Sequence, residues 1–548
     1  MKLLILGGVA AGTKAAARAK REYPDASVTI VTQDDYVAYA GCGLPYFVGG
    51  IISEERELVV RTPDEFKLDN GIDVFTRHQA VKIDTDGHVV MVRDLSSNED
   101  KTFSYDKLII ATGALPIIPA LDGISLKRVF TVRGLNDAKK IRAMVDSGKV
   151  SKAVVIGGGF IGLEMAENLA HKGIKVSVIE LKEQILPGYD ADIAAIAKSA
   201  MIKKGVDIFT GEGVKKINGN TAGEAAAVVT SARIIDTDMV ILSVGIKPNT
   251  GFAIEAGIAA DKRGLIITDE YFHTNMPDIL AVGDCASVKN RQSGHDTYSP
   301  MGSTANKTGR LVVANLFEKK ASFAGVQGTA IVKLFDCNVA RTGISEVDAI
   351  EAGFDIETVL VPTPDRAHYY PGNKPIITKL IADKETGKVL GASVVGTGVV
   401  DKPIDTIATG IAMGMTVSQL SMLDLAYTPP FASAMASSIV AANVMLNKMD
   451  GKLKGINPCK LDINDPNIQM IDVRTEGEFI INAIPNAVNI PFEELSQRYN
   501  EIDKNKPAVL ICKVGRRAYS AYLQLQRKGY DNIAILDGGM SAWPFETV

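Results

Sequence analysis

The chain has 548 residues, of which 46% are hydrophobic, and a formal net charge of −4. This length predicts a globular protein with three or four domains. The basic residues are dispersed along the chain, so the charge pattern excludes an evident nucleic-acid or membrane surface and favours small molecules as partners.

The cysteines predict a reducing environment. They are five in number, widely spaced, and without the paired spacing of metal ligands. A disulfide framework or a metal site is therefore not expected, and we predict a cytoplasmic protein with reactive thiols.

The first 35 residues predict a βαβ unit, with a strand at Lys2–Leu6, a helix at Gly12–Glu22 and a strand at Ser27–Val31. The apolar start resembles a signal peptide, but its glycines have the spacing of a nucleotide-binding turn. The turn is incomplete because Val9 takes the place of the second glycine. Its candidate ligand-binding residues are Gly7, Gly8, Ala11, Gly12 and, after the second strand, Thr32.

A second βαβ unit is predicted by Ala153–Ile156, Gly162–Lys172 and Lys175–Ile179. Its glycine turn is complete, and a backbone of this kind approaches a pyrophosphate at a helix N-terminus. The carboxylate that closes the last strand can accept both ribose hydroxyls and would repel a 2′-phosphate. NADH is therefore favoured, with NADPH left open, and the residues concerned are Gly157, Gly159, Gly162 and Glu180.

Two further apolar segments, Tyr105–Gly113 and Asp238–Gly245, end in glycine, and a third, Ile279–Asp284, ends in Gly-Asp, as ligand-facing strand ends do. Their candidate binding residues are Ala111, Thr112, Gly113, Gly245, Gly283 and Asp284.

From Gly328 onwards the pattern predicts a different, α+β domain. Its strands are expected at Thr329–Phe335, Thr358–Pro362, Ile376–Ala382 and Val389–Val395, and its helices around 402–414 and 432–447. The apolar run Phe431–Leu446 contains serines and an asparagine, so we expect no membrane span. The polar stretch Asn447–Lys452 is interpreted as a linker to a last module with strands at Met470–Val473 and Ala508–Cys512.

Two cysteines are candidate reactive thiols. Cys42 precedes Pro45, which suits a first helical turn, so a helix N-terminus is expected to lower the pKa of the thiol; an inert structural cysteine is the alternative. Cys512 begins a C-x4-R loop in which Gly515 permits a tight bend. Backbone amides of such a loop can hold an anionic persulfide, and the neighbouring Arg516 and Arg517 are expected to favour the thiolate.

Residues 1–445 resemble the pyridine nucleotide–disulfide oxidoreductase family. The motifs Cys42–Tyr46, His368–Gly372 and Tyr427–Pro430 are similar to those of its coenzyme A–disulfide and persulfide reductase branch. The resemblance implies FAD at the first glycine turn, with Asp284 near the ribityl or phosphate region, and a homodimer. It also implies Cys42 as the redox nucleophile, and Glu164 near the flavin–nicotinamide contact, with a helix-surface carboxylate as the alternative. Tyr370 and Tyr427 of the partner subunit are implied as proton donors, with turn or packing residues as the alternative.

The last module resembles a rhodanese domain. The resemblance rests on Asp472–Arg474, Ala487–Pro491, Leu536–Gly539 and Trp543, and it implies that Cys512 carries sulfur. Asn482-Ala483 replaces the Gly-His of many rhodaneses, and we expect little consequence for the chemistry.

Coenzyme A is implied as a substrate or bound ligand, although Ala38–Gly41 departs from the Ser-Phe-x-Asn that the family usually has before the cysteine. Lys14, Arg18 and Arg21 share one face of the first helix and are candidates to bind the phosphorylated end, with a solvated basic face as the alternative. Tyr39 is a further candidate to bind the substrate, and Asn306 and Arg310 are weaker candidates for the same ligand.

The sequence therefore predicts an α/β fold with two Rossmann-like nucleotide-binding domains, an α+β dimerisation domain and a C-terminal α/β rhodanese domain. The expected bounds are 1–113 with 247–325 for FAD, 114–246 for NAD, 326–447 for dimerisation and 455–548 for the rhodanese. The expected activity is the NADH-dependent reduction of persulfides, polysulfides or coenzyme A disulfide. The alternatives are an NADH oxidase or peroxidase that uses a cysteine sulfenate, and a non-enzymatic redox-sensing flavoprotein.

Overall fold

The chain is described by a computed structural model that covers residues 1–548. It forms two compact units, one made of residues 1–183 and 206–326 and the other of residues 184–205 and 327–548. None of its helices combines the length and the apolar character that a membrane crossing requires.

The strands are β1 (Lys2–Leu6), β2 (Ser27–Val31), β3 (Asp73–Phe75), β4 (His78–Asp84), β5 (Val89–Asp94), β6 (Asp100–Ser104), β7 (Lys107–Ile110), β8 (Ala114–Pro116), β9 (Val129–Thr131), β10 (Lys152–Ile156), β11 (Lys175–Glu180), β12 (Asp207–Thr210), β13 (Val214–Gly219), β14 (Ala225–Thr230), β15 (Ile234–Asp236), β16 (Met239–Leu242), β17 (Ile246–Pro248), β18 (Ile279–Ala281), β19 (Val288–Lys289), β20 (Asp296–Thr297), β21 (Ala330–Leu334), β22 (Cys337–Gly343), β23 (Ile356–Pro364), β24 (Pro375–Asp383), β25 (Val389–Gly396), β26 (Gly455–Ile456), β27 (Gln469–Asp472), β28 (Val488–Asn489), β29 (Ala508–Ile511) and β30 (Ile533–Leu536).

The α-helices are α1 (Ala10–Glu22), α2 (Leu44–Val48), α3 (Pro63–Asn70), α4 (Leu135–Asp146), α5 (Phe160–His171), α6 (Ala191–Lys203), α7 (Gly251–Glu255), α8 (Gly302–Leu311), α9 (Glu346–Glu351), α10 (Asp401–Ala412), α11 (Val417–Ser421), α12 (Ser437–Met449), α13 (Glu476–Ile481), α14 (Leu495–Arg498) and α15 (Arg516–Arg527).

The first unit contains two parallel five-stranded sheets of the Rossmann type. Their strand orders are β18-β7-β1-β2-β3 and β12-β11-β10-β16-β9. In each sheet the strand before a glycine turn lies near the centre, so the turn and the helix after it stand at the carboxyl edge, where such sheets bind ligands. The predicted fold class is confirmed in this unit.

Helix α1 shows why the first glycine turn can pack tightly. The helix begins at Ala10, two residues before the predicted start, and it buries a face made of alanines. Gly309 on α8 approaches this face so closely that a Cβ there would lie 2.3 Å from the carbonyl oxygen of Ala11. Small side chains therefore bring α1 and α8 together beside the turn.

The second unit combines an antiparallel sheet with a parallel one. The antiparallel sheet has the order β21-β22-β25-β24-β23, and α10 and α12 cover its apolar face. The parallel sheet has the order β26-β30-β29-β27-β28 and forms the last module. The α+β domain and the C-terminal α/β module follow the predicted fold class.

The predicted linker at Asn447–Lys452 was wrong in its first half. Helix α12 continues to Met449, and the side chain of Lys448 is buried, with 4% exposed. Its ammonium lies 2.7 Å from Asp537 of the last module. A polar composition suggested solvation, but a lysine can be buried when a carboxylate pairs with it.

A second buried ionic cluster, centred on Lys379 of β24, joins α6 to the same sheet. The Lys379 ammonium lies 2.8 Å from Asp192, 3.3 Å from Asp190 and 2.5 Å from Glu346. The side-chain amide of Asn457 also donates to Asp192, at 2.6 Å. The last module is therefore attached to the antiparallel sheet by two groups of buried polar contacts.

Candidate functional site

The first glycine turn opens onto a cavity of about 370 Å³. Gly12 of α1 packs against this turn, because a Cβ at Gly12 would stand 2.0 Å from the Gly7 carbonyl oxygen. This closeness lets the start of α1 reach the cavity. Nine of the predicted cofactor-binding residues line this cavity, namely Gly7, Gly8, Ala11, Thr32, Ala111, Thr112, Gly113, Gly283 and Asp284.

Two partly buried carboxylates, Asp34 and Asp284, and the guanidinium of Arg133 line this cavity. Burial raises the pKa of Asp284 and of Asp34, and the positive charge of Arg133 opposes the rise at both. Sequence reasoning missed Asp34 and Arg133. The signal for Asp34 was its position three residues after the end of β2, where a ribose-binding carboxylate can stand. Residues of this chemistry fit a dinucleotide with hydroxyl and phosphate groups.

The second glycine turn is arranged for a nucleotide in the same way. A Cβ at Gly157 would lie 2.1 Å from the Ser243 carbonyl oxygen, whereas a Cβ at Gly159 would meet no atom within 4 Å. The first glycine is thus required by the protein, and the second leaves open space at the N-terminus of α5. This space fits a pyrophosphate. Gly162 packs against Gly157, and Gly245 follows β16 with a φ of 115°.

Glu180 lies at the end of β11 and is buried. Its carboxylate accepts hydrogen bonds from the backbone N–H of Gly158, at 2.7 Å, and of Lys182, at 2.9 Å. These bonds hold the carboxylate beside the glycine turn, where a ribose would lie.

Cys42 lies in a 3₁₀ turn, Gly41–Gly43, that leads directly into α2, and its side chain is exposed. The prediction of a lowered pKa was wrong. The pKa of the thiol is raised, first because the surrounding protein reduces its hydration and then because Glu164 and Asp284 place negative charge near it. Helix α2 has only five residues, so its small dipole does not outweigh these effects.

Tyr46 and Glu164 form a pair near this thiol. Tyr46 stands four residues after Cys42 on α2, and its hydroxyl lies 3.2 Å from Glu164 Oε1 in the first turns of α5. Burial raises the pKa of Glu164 and, with the Glu164 charge, raises the pKa of Tyr46 to about 12. Glu164 is therefore a partly buried, hydrogen-bonded group, and the interpretation as a solvated helix-surface carboxylate does not hold.

The predicted tyrosines lie on the surface of the second unit. Tyr370 is 36% exposed and Tyr427 is 48% exposed. The hydroxyl of Tyr427 lies 3.3 Å from that of Tyr369, a residue that sequence reasoning did not select. This hydrogen bond raises the pKa of Tyr427. The exposed positions leave both predicted tyrosines available to another molecule.

The structure brings some of the predicted basic residues together. The Arg18 guanidinium donates to Glu22 and, at 2.9 Å, to the carbonyl oxygen of Arg310 on α8. Lys14 and Arg21 are exposed on the same helix, and Asn306 lies one turn before Arg310. Tyr39, in contrast, is buried with its hydroxyl 3.5 Å from Asp34, so it is not a surface contact for a ligand.

The loop of Cys512 lies at the start of α15, a helix of 12 residues. Gly515 has a φ of 96°, a left-handed conformation that favours glycine, and its N–H donates to Cys512 Sγ at 3.1 Å. The thiol is buried, with 1% of the residue exposed. A helix start and a backbone N–H directed at sulfur can stabilise an anionic sulfur atom.

Arg517 is paired across this loop with a residue that the sequence did not reveal. Its guanidinium makes two hydrogen bonds with Glu478 of α13, at 2.6 and 2.7 Å. The pairing holds the pKa of Glu478 down at about 2. The charge of Arg517 is therefore already balanced, and it is not free to act on Cys512 alone.

Asn482, which replaces the glycine of many rhodaneses, contacts a buried arginine. Arg474 is buried against Asp472, and it also donates to both the side-chain oxygen and the carbonyl oxygen of Asn482, at 3.1 and 2.6 Å. Asn482 therefore completes the environment of the buried arginine.

Comparison with known families gives three matches along the chain. Residues 1–306 match the family model of pyridine nucleotide-disulphide oxidoreductase. Residues 329–439 match the model of the pyridine nucleotide-disulphide oxidoreductase dimerisation domain. Residues 458–545 match the rhodanese-like domain.

Three similar proteins cover most of the chain. A Pyrococcus horikoshii protein named NAD(P)H coenzyme A polysulfide/persulfide reductase is 36% identical over 445 residues, which are 81% of this chain and 98% of the relative. The structure of an NAD-dependent persulfide reductase from A. fulgidus is 40% identical, has a TM-score of 0.94, and the alignment covers 99% of this chain and 100% of that one. Reduced Bacillus anthracis CoADR-RHD is 35% identical with a TM-score of 0.92, covering 99% and 97% respectively.

Proposed function

Because the chain belongs to the pyridine nucleotide-disulphide oxidoreductase family, we propose that it is an FAD-dependent reductase that uses NADH to reduce persulfides, polysulfides or coenzyme A disulfide. The observation that carries this proposal is the presence of two separate candidate thiols. Cys42 stands near the carboxylates of the nucleotide-binding unit, whereas Cys512 stands in an amide-lined loop of the last module.

The two glycine turns would hold the two nucleotides. The cavity at Gly7 and Asp284 fits FAD, and the open turn at Gly159 fits the pyrophosphate of NADH. The Glu180 carboxylate favours NADH because it would repel the phosphate of NADPH. When bound, FAD supplies the route by which two electrons pass from NADH to sulfur.

Cys42 is the proposed attacking group. Its thiolate would attack one sulfur of an S–S bond, forming a new S–S bond to Cys42 while the other sulfur leaves as a thiolate. Two electrons then break the bond to Cys42. The balance for a disulfide RSSR′ is one NADH and one proton consumed, with RSH, R′SH and NAD⁺ formed; for a persulfide RSSH the products are RSH, H₂S and NAD⁺. Tyr370 and Tyr427 of the partner subunit are proposed to protonate the leaving sulfur.

Cys512 is the proposed sulfur carrier. The Gly515 N–H and the start of α15 would stabilise its persulfide, while Glu478 fixes Arg517 at the loop. A plain disulfide reductase has no need of a carrier, so this module favours persulfides and polysulfides over coenzyme A disulfide.

Three further properties belong to the proposal. A homodimer is supported by the match to a dimerisation domain and by the exposed tyrosines. Coenzyme A binding is supported by the basic residues on α1 and by the names of the relatives. A cytoplasmic location is supported by five cysteines that are all free.

The test is the anaerobic oxidation of NADH by the FAD-loaded protein, with coenzyme A persulfide, polysulfide and coenzyme A disulfide supplied separately. We expect H₂S and free thiol in stoichiometric amounts, with the highest kcat/KM for a persulfide or polysulfide. A parallel reaction in air without a sulfur substrate measures oxidase activity. Faster NADH consumption in air than with any sulfur substrate would establish the oxidase alternative and remove this proposal.

A further inference from the structure

A series of contacts leads from the antiparallel sheet to the loop of Cys512, and Lys448 is the first residue in it. The ammonium of Lys448 is buried near the end of α12 and lies 2.7 Å from Asp537 Oδ2 and 2.8 Å from the carbonyl oxygen of Thr358 on β23. Glu357 lies 3.8 Å away. Lys448 is therefore fixed by the antiparallel sheet and presents its charge to the last module.

Asp537 connects this ion pair to a tight turn, because it is the first residue of that turn. It follows β30, its own N–H donates to the Ile456 carbonyl oxygen at 2.9 Å, and its side chain is 6% exposed. Gly538 and Gly539 come next, with φ values of 73° and 54°. Gly455 also approaches Asp537 closely, because a Cβ at Gly455 would stand 2.2 Å from Asp537 Oδ1. The carboxylate and the turn are thus held with little freedom.

The turn contacts the backbone of the Cys512 loop directly. Met540 N–H donates to the Cys512 carbonyl oxygen at 2.9 Å, and Ser541 N–H donates to the Lys513 carbonyl oxygen at 3.0 Å. A Cβ at Gly539 would lie 2.1 Å from the Cys512 carbonyl oxygen, so the two backbones touch.

These two hydrogen bonds orient the peptide groups that begin the loop. In a trans peptide the N–H points opposite to the C=O. The peptide N–H groups that follow the Cys512 and Lys513 carbonyls are therefore directed away from the turn. The same fixed start of the loop allows Gly515 N–H to reach Cys512 Sγ at 3.1 Å. Displacement of the turn would release this arrangement.

We propose that the buried Lys448–Asp537 ion pair is a positioning device for the Cys512 sulfur site, so that a residue of α12, before the rhodanese-like segment begins, sets the geometry of the sulfur-carrier loop. The inference rests on the proposed carrier role of Cys512. It goes beyond that role because it places part of the supporting structure in a different domain. The ion pair does not touch sulfur, and it acts through the turn from Asp537 to Ser541.

The experiment uses the full-length, FAD-loaded protein and five variants. Lys448→Met removes the charge, Lys448→Arg keeps it, and Asp537→Asn weakens the pair. Asn457→Ser is the matched control: it removes the buried contact with Asp192 at the same domain junction while keeping an oxygen for the local N-cap. The double variant Lys448→Met/Asp537→Leu removes both charges, so that neither is left buried alone if the single variants do not fold.

Three measurements are made on each variant. The first is the pH profile of Cys512 alkylation by iodoacetamide, followed by mass spectrometry of the Cys512 peptide. The second is thiosulfate:cyanide sulfurtransferase activity, and the third is NADH-dependent reduction of a small disulfide at Cys42. Circular dichroism and thermal unfolding establish that the last module is folded.

We expect Lys448→Met, Asp537→Asn and the double variant to move the alkylation profile of Cys512 to higher pH. Sulfurtransferase kcat should fall about tenfold, as for a displaced reactive group. Lys448→Arg should restore both values to within about twofold, Asn457→Ser should leave the profile unchanged, and disulfide reduction should remain in all variants.

An unchanged alkylation profile in folded Lys448→Met or in the double variant would overturn the inference. An equal shift of the Cys512 alkylation profile in Asn457→Ser would also overturn it, because the shift would then come from any disturbance of the domain junction and not from the Lys448–Asp537 pair. If the unsubstituted protein shows no sulfurtransferase activity, the carrier role fails, and the alkylation profiles still decide the positioning question.

Discussion

The hydroxyl of Tyr46 lies 3.2 Å from the Glu164 carboxylate, and this pair joins the helix after Cys42 to the helix after the second glycine turn. Glu164 is one of the two carboxylates whose charge raises the pKa of Cys42. The residue that is expected near the nicotinamide therefore also contributes, after reduced hydration, to the raised pKa of the proposed nucleophile.

Glu164→Gln is expected to lower the pKa of Cys42, because it removes a negative charge that disfavours the thiolate. At neutral pH a larger fraction of the thiol would be ionised, and the rate of Cys42 alkylation should rise several-fold. The pH dependence of iodoacetamide reaction, followed at the Cys42 peptide, measures this. Glu22→Gln is the control, because Glu22 pairs with Arg18. An upward shift of the Cys42 profile in Glu164→Gln would contradict the assigned electrostatics.

Glu180→Ala should narrow the preference for NADH over NADPH. The substitution removes the carboxylate that would accept ribose hydroxyls, and it also removes the acceptor for Gly158 N–H. We expect kcat/KM for NADH to fall by a factor of about ten to one hundred, the effect of losing hydrogen bonds to a charged group. Steady-state kinetics with both nucleotides provide the measurement, and the exposed Glu183→Ala is the matched control. Comparable efficiency of the two nucleotides in the unsubstituted protein would remove this role of Glu180.

Subunit complementation tests the proposed homodimer. If Tyr427 acts at Cys42 of the partner subunit, Cys42→Ser and Tyr427→Phe chains are each impaired as homodimers. A mixed dimer of the two would contain one complete site. Co-expression with two affinity tags should therefore recover up to half of the normal activity. Tyr369→Phe, which removes only the neighbouring hydroxyl, should cost less than Tyr427→Phe. Full activity in a protein that is monomeric by light scattering would defeat this prediction.

The two thiols should be separable by mutation. Cys42→Ser is expected to abolish NADH-dependent reduction of every sulfur substrate. Cys512→Ser should spare small disulfides and lose sulfurtransferase activity. Both variants are compared after folding and flavin content have been shown to match. Equal loss of disulfide reduction in the two proteins would mean that Cys512 lies on the obligatory electron path.

The Glu478–Arg517 pair predicts a pH dependence for the last module. The native pKa of Glu478, about 2, lies below the ordinary value of about 4.3. Its stabilisation is therefore present above the ordinary value and is lost as the pH falls towards 2. Since the pair is about one-third exposed, the effect on the free energy of unfolding should be about 1 kcal/mol or less. Thermal unfolding between pH 6 and 3 should show a smaller acid-induced loss in Glu478→Gln. An identical loss in both proteins would exclude the pair as its source.

The glycine turns and the strands beside them could be predicted because their signals are local. β1 and β2 have their predicted bounds, and Gly7, Gly157 and Glu180 needed only their spacing to be recognised. The nine cofactor candidates at the cavity also follow from strand ends, since parallel strands deliver their carboxyl ends to one edge of a sheet.

The remaining features depend on residues that are distant in sequence. Arg133 faces two carboxylates from other segments, Glu478 meets Arg517, and Lys448 meets Asp537. Nothing in the local pattern shows which opposite charge will be buried beside a given lysine or arginine. The prediction of a lowered pKa for Cys42 was wrong for the same reason. The pKa is raised first by reduced hydration of the thiol and then by two distant carboxylates, and only the neighbouring helix start is visible in the sequence.

The continuation of α12 to Met449 decides how this protein can be dissected. A fragment that starts at Gly455 would retain Asp537 and lose Lys448, leaving a carboxylate without its counter-ion in an apolar setting. A truncated reductase that ends before Lys448 would lose the last turn of α12. Because α12 also covers the apolar face of the antiparallel sheet, a cut before Ser437 would expose that face, so chimaeras should keep the antiparallel sheet, α12 and the sulfur-binding loop on one chain.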